Sequence, residues 1–390
     1  DTNPAAHPGA ADPLELAWQV EALAYSERLI RATVGADDRP YVLYVERISD
    51  PTPDDRTSGV AFLVLARRTA TGWEVVYRWD DPAEDPAPQA VGLAHAAGRI
   101  YLVNGLDYQD GYRWTRDSEI NWHQEPFPPP PALTGGVASM LVPNRATGTL
   151  AVRGWDEPGD GQVVLYAAVR QGNGSWLWEA VDADGGGPAD LQWGAAGDLH
   201  TCYYGAAGTL RYARRGSEGW EAVTVDDVQA SSPCSVAAAP DGSARVAFFT
   251  NDPDDAVLWD SLHLATNASG DWVTADVPYD AFLEPEAMSS SRFVVVAPNG
   301  STHVVLATGA PECGDGSCED GGRLVHGVEE DGAWSFEDVA PFAYWEGRII
   351  VDIDSTGLLH VVYGHGGGAE DPAVGYAHQV DGVDEACDGP

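Results

Sequence analysis

Short runs of alternating apolar and polar residues, separated by tight turns, recur along the whole chain. Seven times an apolar run is followed by a turn with Gly or Asp and then by a second run. The second runs occupy residues 39–44, 98–103, 148–152, 197–202, 242–248, 300–305 and 357–363. Alternation with a period of two indicates β-strands, and glycine supplies the positive φ that a two-residue hairpin turn requires. The pattern therefore predicts seven β-hairpins.

A tryptophan opens a further short alternating run in each repeat. These residues are Trp18, Trp73, Trp122, Trp176, Trp220, Trp272 and Trp334, at spacings of 44 to 62 residues. Such an interval is the length of one four-stranded propeller blade, and periods of this size are the sequence signature of repeat architectures. The predicted fold is an all-β, seven-bladed β-propeller with four-stranded blades.

The phase of the two repeats predicts how the ring closes. Trp18 precedes the first complete hairpin, and strands expected at 358–363 and 373–380 are followed by no further tryptophan strand. We therefore expect residues 14–23 to form the outer strand of the last blade and to pair with 373–380, which removes exposed sheet edges. Residues 14–380 form one propeller in this interpretation, with tails at 1–13 and 381–390.

The charge of the chain excludes several functions. Its net charge is −40, and all 21 basic residues are arginine, so lysine Schiff-base chemistry is excluded. A field this negative repels nucleic acid and anionic membrane surfaces. No apolar run reaches the ~18 residues that a membrane span needs. The partners expected are therefore neither nucleic acid nor a bilayer.

The five cysteines point to an oxidising compartment. Cys313 and Cys318 stand close enough in sequence to form a local disulfide, and Cys202 and Cys234 lie on strands of successive repeats, which makes them a second candidate pair. Cys387 is left over. The chain begins at Asp1 rather than Met, as does a mature protein after signal removal or a trimmed piece of a longer chain. We expect it to be secreted, periplasmic or at the cell surface.

Long acidic segments share one face of the predicted ring. They join second to third strands in every blade but the fourth, and long loops on a rigid scaffold commonly carry binding sites. Carboxylate oxygens suit Ca²⁺. The candidate calcium ligands are Asp352 and Asp354, in a run like a calcium loop, and Asp315, Glu319 and Asp320 beside the local cysteine pair. The alternatives are a simple hairpin turn and a solvated acidic surface.

Three arginines begin the innermost strands of their blades and are expected to ring the channel mouth. They are Arg28, Arg292 and Arg348. Guanidinium groups placed there hold a carboxylate or sulfate bidentately, and the alternative is pairing with the acidic segments. Three histidines recur at one position of the second strands, which indicates packing in the core: His200, His303 and His360.

Four further residues are candidates for chemistry or sugar binding. His365 follows a strand end in the run Tyr363-Gly-His365, where the two side chains are candidates for proton transfer. Trp155 and Trp345 lie outside the repeat phase and are candidate stacking platforms for a sugar. The alternative for both tryptophans is bracing between blades.

The blade pattern resembles that of secreted bacterial propellers of the sialidase-like, BNR-repeat type. The pattern is Gly-x-x-His-Val-x-Tyr, then a strand such as Leu210-Arg-Tyr-Ala-Arg214, then Gly-x-Trp. The resemblance spans nearly the whole chain and implies the fold. The strict Asp-box, Ser-x-Asp-x-Gly-x-x-Trp, is absent, and the sialidase catalytic set is not recognisable. Related lyase propellers carry an Asp-His-His-Asn segment, whereas this chain has only the later part, at 359–365.

Three functions follow as hypotheses. The first is a non-catalytic module that recognises a glycan or a surface partner, because no complete catalytic set is present and aromatic residues lie on loops. The alternative is a polysaccharide lyase or glycoside hydrolase that uses His365, Tyr363 and an arginine at the channel mouth. A structural or assembly role rests on the unpaired Cys387. A glycan array and an activity screen on anionic polysaccharides separate the first two.

Overall fold

The computed structural model describes seventeen stretches of the chain. They are residues 17–24, 28–48, 60–79, 90–104, 112–116, 119–125, 137–156, 163–183, 185–205, 208–226, 234–251, 259–279, 292–308, 322–330, 332–342, 348–364 and 374–380. Every regular element in these stretches is a β-strand. The strands form seven four-stranded antiparallel sheets.

The first four blades each take four strands in chain order from the inside outward. Blade 1 contains β2 (Arg28–Val34), β3 (Pro40–Ile48), β4 (Val60–Thr69) and β5 (Gly72–Trp79). Blade 2 contains β6 (Ala90–Ala96), β7 (Arg99–Asn104), β8 (Tyr112–Arg116) and β9 (Glu119–Glu125). Blade 3 contains β10 (Val137–Pro143), β11 (Leu150–Asp156), β12 (Val164–Arg170) and β13 (Trp176–Asp182). Blade 4 contains β14 (Gly185–Trp193), β15 (Leu199–Gly205), β16 (Leu210–Gly216) and β17 (Gly219–Asp226).

The last three blades complete the ring. Blade 5 contains β18 (Ser235–Ala238), β19 (Ala244–Asn251), β20 (Trp259–Thr266) and β21 (Val273–Asp276). Blade 6 contains β22 (Val294–Val296), β23 (Thr302–Thr308), β24 (Gly322–Glu330) and β25 (Ala333–Phe342). Blade 7 contains β26 (Ile349–Ile353), β27 (Leu359–Gly364), β28 (Val374–Val380) and, as its outer strand, β1 (Ala17–Ala24). First strands of neighbouring blades contact one another all the way round, including β26 with β2. The predicted seven-bladed propeller is confirmed.

The closing strand comes from the other end of the chain, as the phase of the repeats predicted. β1 pairs antiparallel with β28, in a register that places Ala17 opposite Val380 and Gln19 opposite His378. Side chains also tie β1 to both neighbouring blades. The Trp18 indole donates to Glu337 of blade 6 at 2.8 Å, and Glu21 pairs with Arg68 of blade 1 at 2.5 Å.

The turns between first and second strands are short, but most of them differ from the prediction of two residues. A two-residue turn occurs in blade 2, where Ala97 and Gly98 both have positive φ. In blade 4 the Gly194 N–H bonds to the carbonyl of Asp198 and the Gly197 N–H bonds back to that of Gly194. This is a three-residue turn with glycine in the left-handed position. Blades 1, 5, 6 and 7 repeat this pattern, with Asp38 as the left-handed residue in blade 1.

The core consists of apolar layers between adjacent blades. Val304, Leu306, Val351 and Tyr363 belong to the largest cluster, which extends over blades 5, 6 and 7. Full burial of one large apolar side chain stabilises a fold by about 1.5–3 kcal/mol. These layers hold each blade against its neighbours.

A buried disulfide joins blades 4 and 5. It links Cys202 on β15 to Cys234, which directly precedes β18, and so confirms the predicted pair. Cys313, Cys318 and Cys387 lie outside the described residues. Within the described stretches, no helix is long and apolar enough to cross a membrane.

Candidate functional site

The two ends of the central channel differ in the connections that surround them. First and second strands meet at short turns at one end, which we call the floor. Second strands lead into third strands at the opposite end, which we call the mouth. These connections are residues 49–59, 105–111, 157–163, 206–209, 252–258, 309–321 and 365–373. The longer, acidic segments of the sequence therefore start and finish at the mouth.

An arginine from one side of the ring spans the channel at the floor. Arg145 lies in the turn of blade 3, and its Nη2 is 2.6 Å from Oδ1 of Asp352 in blade 7. Its other terminal nitrogen donates to the carbonyl of Ile353. Oδ2 of Asp352 accepts the backbone N–H of Val34 in blade 1 at 2.8 Å. Asp352 thus connects three blades, and Arg145 bridges opposite sides of the channel at its floor.

The pKa of the Asp352 carboxyl follows from this position. Burial alone would raise it, but Arg145 and Arg292 together with the N–H groups of Val34 and Ile353 hold the pKa below its usual value. The carboxylate therefore remains ionised at neutral pH.

A second buried carboxylate ties the inner strands of blades 4, 5 and 6. Oδ2 of Asp190 accepts the hydroxyl of Ser235 at 3.0 Å and the N–H of Val236 at 3.1 Å. Arg292 reaches over from blade 6, with Nη2 3.6 Å from Oδ1 of Asp190, and donates to the carbonyl of Leu191 at 3.1 Å. Burial would lower the pKa of Arg292, but Asp190 and Asp352 raise it above its ordinary value.

A small cavity lies in the channel, lined mainly by apolar residues of the inner strands. Its volume is about 50 Å³, enough for a few water molecules. Its charged lining consists of Arg31, Arg292 and Asp352. Nε of Arg292 is buried and has no hydrogen-bond partner among the described residues.

Among the described residues in or beside the channel, four guanidinium groups lie near two carboxylates. Arg31, Arg145, Arg153 and Arg292 are the described arginines here, and Asp190 and Asp352 the described acids. Burial lowers the pKa of Arg153 to about 10, an effect that nearby Asp190 opposes. Arginine side chains therefore line the channel of a protein whose net charge is −40.

The structure places the three predicted mouth arginines differently. Arg292 lies within the channel, between Asp190 and Asp352. Arg348 directly precedes β26, and its carbonyl accepts the N–H of Gly364 at 2.8 Å. Arg28 is the first residue of β2, and its side chain is not among the described groups. Convergence of all three on one anion stays a prediction.

Two of the four candidates for chemistry and stacking, Tyr363 and Trp155, lie among the described residues. Tyr363 is buried in the core, and burial raises the pKa of its hydroxyl to about 12. Its ring occupies the space that a Cβ on Gly375 would need. Trp155 belongs to β11, opposite Leu165 of β12. His365 and Trp345 lie outside the described part of the chain.

The candidate calcium ligands have different surroundings. Oδ1 of Asp354 accepts the N–H groups of Thr356 and Leu358, each at 2.9 Å, and so caps its own hairpin turn. Its Oδ2 is 3.2 Å from Nε2 of His360. Asp315, Glu319 and Asp320 fall outside the described stretches. Among the residues that are described, no group of three or more His, Cys, Asp or Glu side chains has the arrangement of a metal site.

The recurring histidines are core residues, as predicted. His200 and His360 are both buried, and each places Nδ1 within 2.7 Å of a tyrosine hydroxyl from the adjacent third strand. Those tyrosines are Tyr212 and Tyr376. Arg145, Arg153 and Asp190 were not predicted from the sequence as site residues. An Asp that interrupts an apolar innermost strand, as at Asp190, is the signal that was available.

Comparison with known proteins shows similarity of fold. No family model matches the sequence, and curated proteins give no significant match. The solved polysaccharide lyase Uly1 is 11% identical with a TM-score of 0.56, over 92% of this chain and 90% of the lyase. A puromycin hydrolase is 18% identical with a TM-score of 0.52, over 88% of this chain and 51% of the hydrolase. This chain therefore spans about half the length of that enzyme.

A sialidase is also among the similar structures. The NanB sialidase from Streptococcus pneumoniae is 11% identical with a TM-score of 0.42, over 92% of this chain and 69% of the sialidase. At identities this low the similarities concern the fold alone.

Proposed function

We propose that this protein is a secreted propeller that recognises a glycan, bound at the mouth of the central channel. The observation that carries the proposal is the difference between the two channel ends. Arg145 and Asp352 bridge the floor, whereas the long acidic segments start and finish at the mouth. A ligand that uses the channel therefore enters from the mouth.

The charges in the channel suggest which glycans to test first. Guanidinium groups bind carboxylate and sulfate groups with directed hydrogen bonds. Arg292 and Arg31 line the cavity in the channel. Acidic polysaccharides are accordingly the first choice, and the acidic segments at the mouth would favour short or cation-bound chains over long bare polyanions.

The proposed location rests on the disulfide. Cys202 and Cys234 are bonded, and structural disulfides form and persist mainly in oxidising compartments. Secretion or display at the cell surface is consistent with this bond and with a glycan or surface protein as partner.

A polysaccharide-acting enzyme is the second candidate. The structurally similar lyase shows that this architecture supports such an activity in another protein. A lyase or hydrolase here would use His365 and Tyr363. Burial raises the pKa of the Tyr363 hydroxyl to about 12, so at neutral pH the hydroxyl stays protonated and almost no phenolate is present to act as a general base, which favours recognition over catalysis.

An array of acidic and neutral glycans, followed by calorimetric titration of the best ligand, tests the proposal. We expect saturable binding that weakens when Arg31 is replaced with Gln. Arg99→Gln is the matched control, because Arg99 stacks on Trp114 in blade 2 and its replacement changes the net charge equally. Equal loss in both variants would indicate a long-range charge effect and contradict the proposed site.

The same ligands separate the two candidates. A lyase releases unsaturated products that absorb in the ultraviolet, and a hydrolase releases new reducing ends. Turnover of a bound polysaccharide, abolished by His365→Ala, would replace the recognition proposal with the enzymatic one.

A further inference from the structure

A chain of buried hydrogen bonds crosses blade 6 and ends on the closing strand. Ser301 Oγ is 2.8 Å from Nε2 of His303, and Nδ1 of His303 is 2.9 Å from Nε2 of His326. Nδ1 of His326 is 2.9 Å from Oε1 of Glu337. The same oxygen accepts the indole N–H of Trp18 on β1 at 2.8 Å. We call these five residues the blade 6 chain.

The middle of the blade 6 chain is shielded from water. His326 is fully buried and His303 is 2% exposed. The ring of Trp18 packs edge-on against His326, with ring centres 5.4 Å apart. The protonation state of the two imidazoles is therefore coupled to the contact that holds β1 on blade 6.

The blade 6 chain accepts one extra proton without losing a hydrogen bond. With both imidazoles neutral, Ser301 donates to His303, His303 donates to His326, and His326 donates to Glu337. With one proton added, His326 donates at both nitrogens, to Glu337 and to His303. His303 then donates to Ser301, whose hydroxyl turns to Oδ1 of Asn299 at 2.7 Å. The imidazolium stays paired with the carboxylate.

A second proton cannot be added to the blade 6 chain without breaking a hydrogen bond or removing the charge of Glu337. On His303 it puts two N–H groups face to face across 2.9 Å, with no acceptor between them. On Glu337 it removes the negative charge that balances the imidazolium and weakens the acceptor of the Trp18 indole. Either outcome leaves an uncompensated charge in a buried site, which is strongly unfavourable.

We propose that the blade 6 chain makes the closure of the propeller acid-labile. Uptake of the second proton releases Trp18 from Glu337, and β1 then separates from blade 7 before the rest of the ring unfolds. The separated state exposes the edge of β28 and hydrates His326. This device is independent of glycan binding.

Among the described residues, few other charged groups lie near the blade 6 chain. From β1, Glu21 pairs with Arg68 of blade 1. From β25, Asp338 pairs with Arg323 of β24 near the surface. From β28, His378 lies opposite Gln19 of β1, and burial lowers its pKa. Protonation of His378 also opposes closure, so it acts in the same direction.

The pKa shifts of His303 and Glu337 set the pH range over which β1 is expected to open. Burial, and then the neighbouring His326, lower the pKa of His303 from 6.5 to about 3. A histidine whose pKa is lowered by folding stabilises the closed state fully above its ordinary pKa and loses this contribution as pH falls. Burial of Glu337 would raise its pKa, but bonds from His326 and Trp18 lower it. Its contribution is likewise lost towards acid. Opening is expected between the ordinary pKa of histidine and about pH 3.

Hydrogen–deuterium exchange by mass spectrometry, across that pH range, tests the proposal on the full chain. Measured rates are divided by intrinsic rates to give protection factors. We expect protection of residues 17–24 to fall about tenfold per pH unit, the dependence for one linked proton. Protection of β11 in blade 3 should stay constant. Simultaneous loss in both strands would mean global unfolding and overturn the proposal.

Two substitutions in the blade 6 chain should shift the pH at which β1 opens in opposite directions. Glu337→Gln removes the charge that balances the first imidazolium, so β1 opens at higher pH. His303→Gln removes one site for the second proton, so β1 opens at lower pH. If these residues had a purely structural role, both substitutions would lower the protection of β1, and the pH of opening would not shift in opposite directions. Shifts in the same direction would overturn the proposal.

His263→Gln is the matched control. His263 occupies the third strand of blade 5, with Nδ1 2.9 Å from Asp276 of the fourth strand, but it does not bond to β1. Its replacement should leave the pH of β1 opening unchanged. If Glu337→Gln fails to fold, Trp18→Phe keeps the ring on His326 without the indole N–H. This variant should flatten the pH dependence of β1 protection, and an unchanged slope would contradict the mechanism.

Discussion

The disulfide between Cys202 and Cys234 constrains the junction of blades 4 and 5, and its removal has a calculable cost. Both sulfur-bearing residues are buried, at 0% and 2% exposure. Reduction leaves the side chains in place and removes the cross-link. The perturbation is therefore a protein refolded in the presence of a reductant, compared with the oxidised protein.

The size of the effect follows from the length of the loop. The bond closes a segment with a sequence separation of 32. The chain-entropy relation gives a stabilisation of about 3.7 kcal/mol for such a loop. An unfolding entropy of about 2.1 cal/mol/K per residue gives roughly 0.8 kcal/mol/K for this chain. Reduction should then lower Tm by about 4–5 °C.

Differential scanning calorimetry of both forms measures this shift. The double variant Cys202→Ala, Cys234→Ala, scanned without reductant, should show a slightly larger loss because it also removes buried sulfur atoms. A shift below about 1 °C on reduction, when the expected shift is several degrees, would refute the reasoning. It would mean that blade 5 docks on blade 4 equally well without the cross-link.

Three further predictions address the closing strand, the metal and the floor of the channel. Deletion of residues 1–24 removes β1 and bares the edge of β28, so we expect aggregation or a large drop in Tm; a monomer of unchanged stability contradicts the closure. If the acidic segments bind Ca²⁺, millimolar Ca²⁺ raises Tm more than Na⁺ does at equal ionic strength, because binding stabilises the folded state by about 2.7 kcal/mol at 100 times Kd; equal effects indicate screening alone. Asp352→Ala leaves Arg145 without its carboxylate and costs about 3–5 kcal/mol in unfolding free energy. Asp352→Asn, which keeps an acceptor for Val34, should cost less in the same denaturation experiment.

The architecture was predictable because each blade repeats the same local pattern. One Trp strand and one hairpin with Gly or Asp in its turn per blade suffice to count seven blades, and their phase places β1 beside β28. The lengths and types of the turns were harder to predict from the sequence. Glycine at 197, 242, 300 and 357 was expected to form two-residue turns, but it takes the left-handed position after a type I turn. Both turn types need positive φ, so the residue alone does not distinguish them.

The contacts inside the channel could not be read from the sequence. Arg145 and the Ile353 carbonyl are 208 residues apart in the chain, and they meet because the ring brings blade 3 opposite blade 7. The local sequence around Asp354 is also compatible with two roles, the cap of a hairpin turn and a calcium ligand. Its carboxylate accepts N–H groups of its own turn, and the same Asp, Ser, Thr and Gly residues build both such turns and calcium loops. Geometry across blades, rather than residue type, distinguishes the roles.

The position of a bound glycan tests directly whether the mouth of the channel is the binding site. We would soak crystals of the protein with the acidic oligosaccharide that binds best in the array, and determine the structure of the complex. We expect ligand density at the mouth of the channel, with an acidic group near Arg31 or Arg292. Density at the floor beside Arg145, or on the outer strands of the blades, would contradict it.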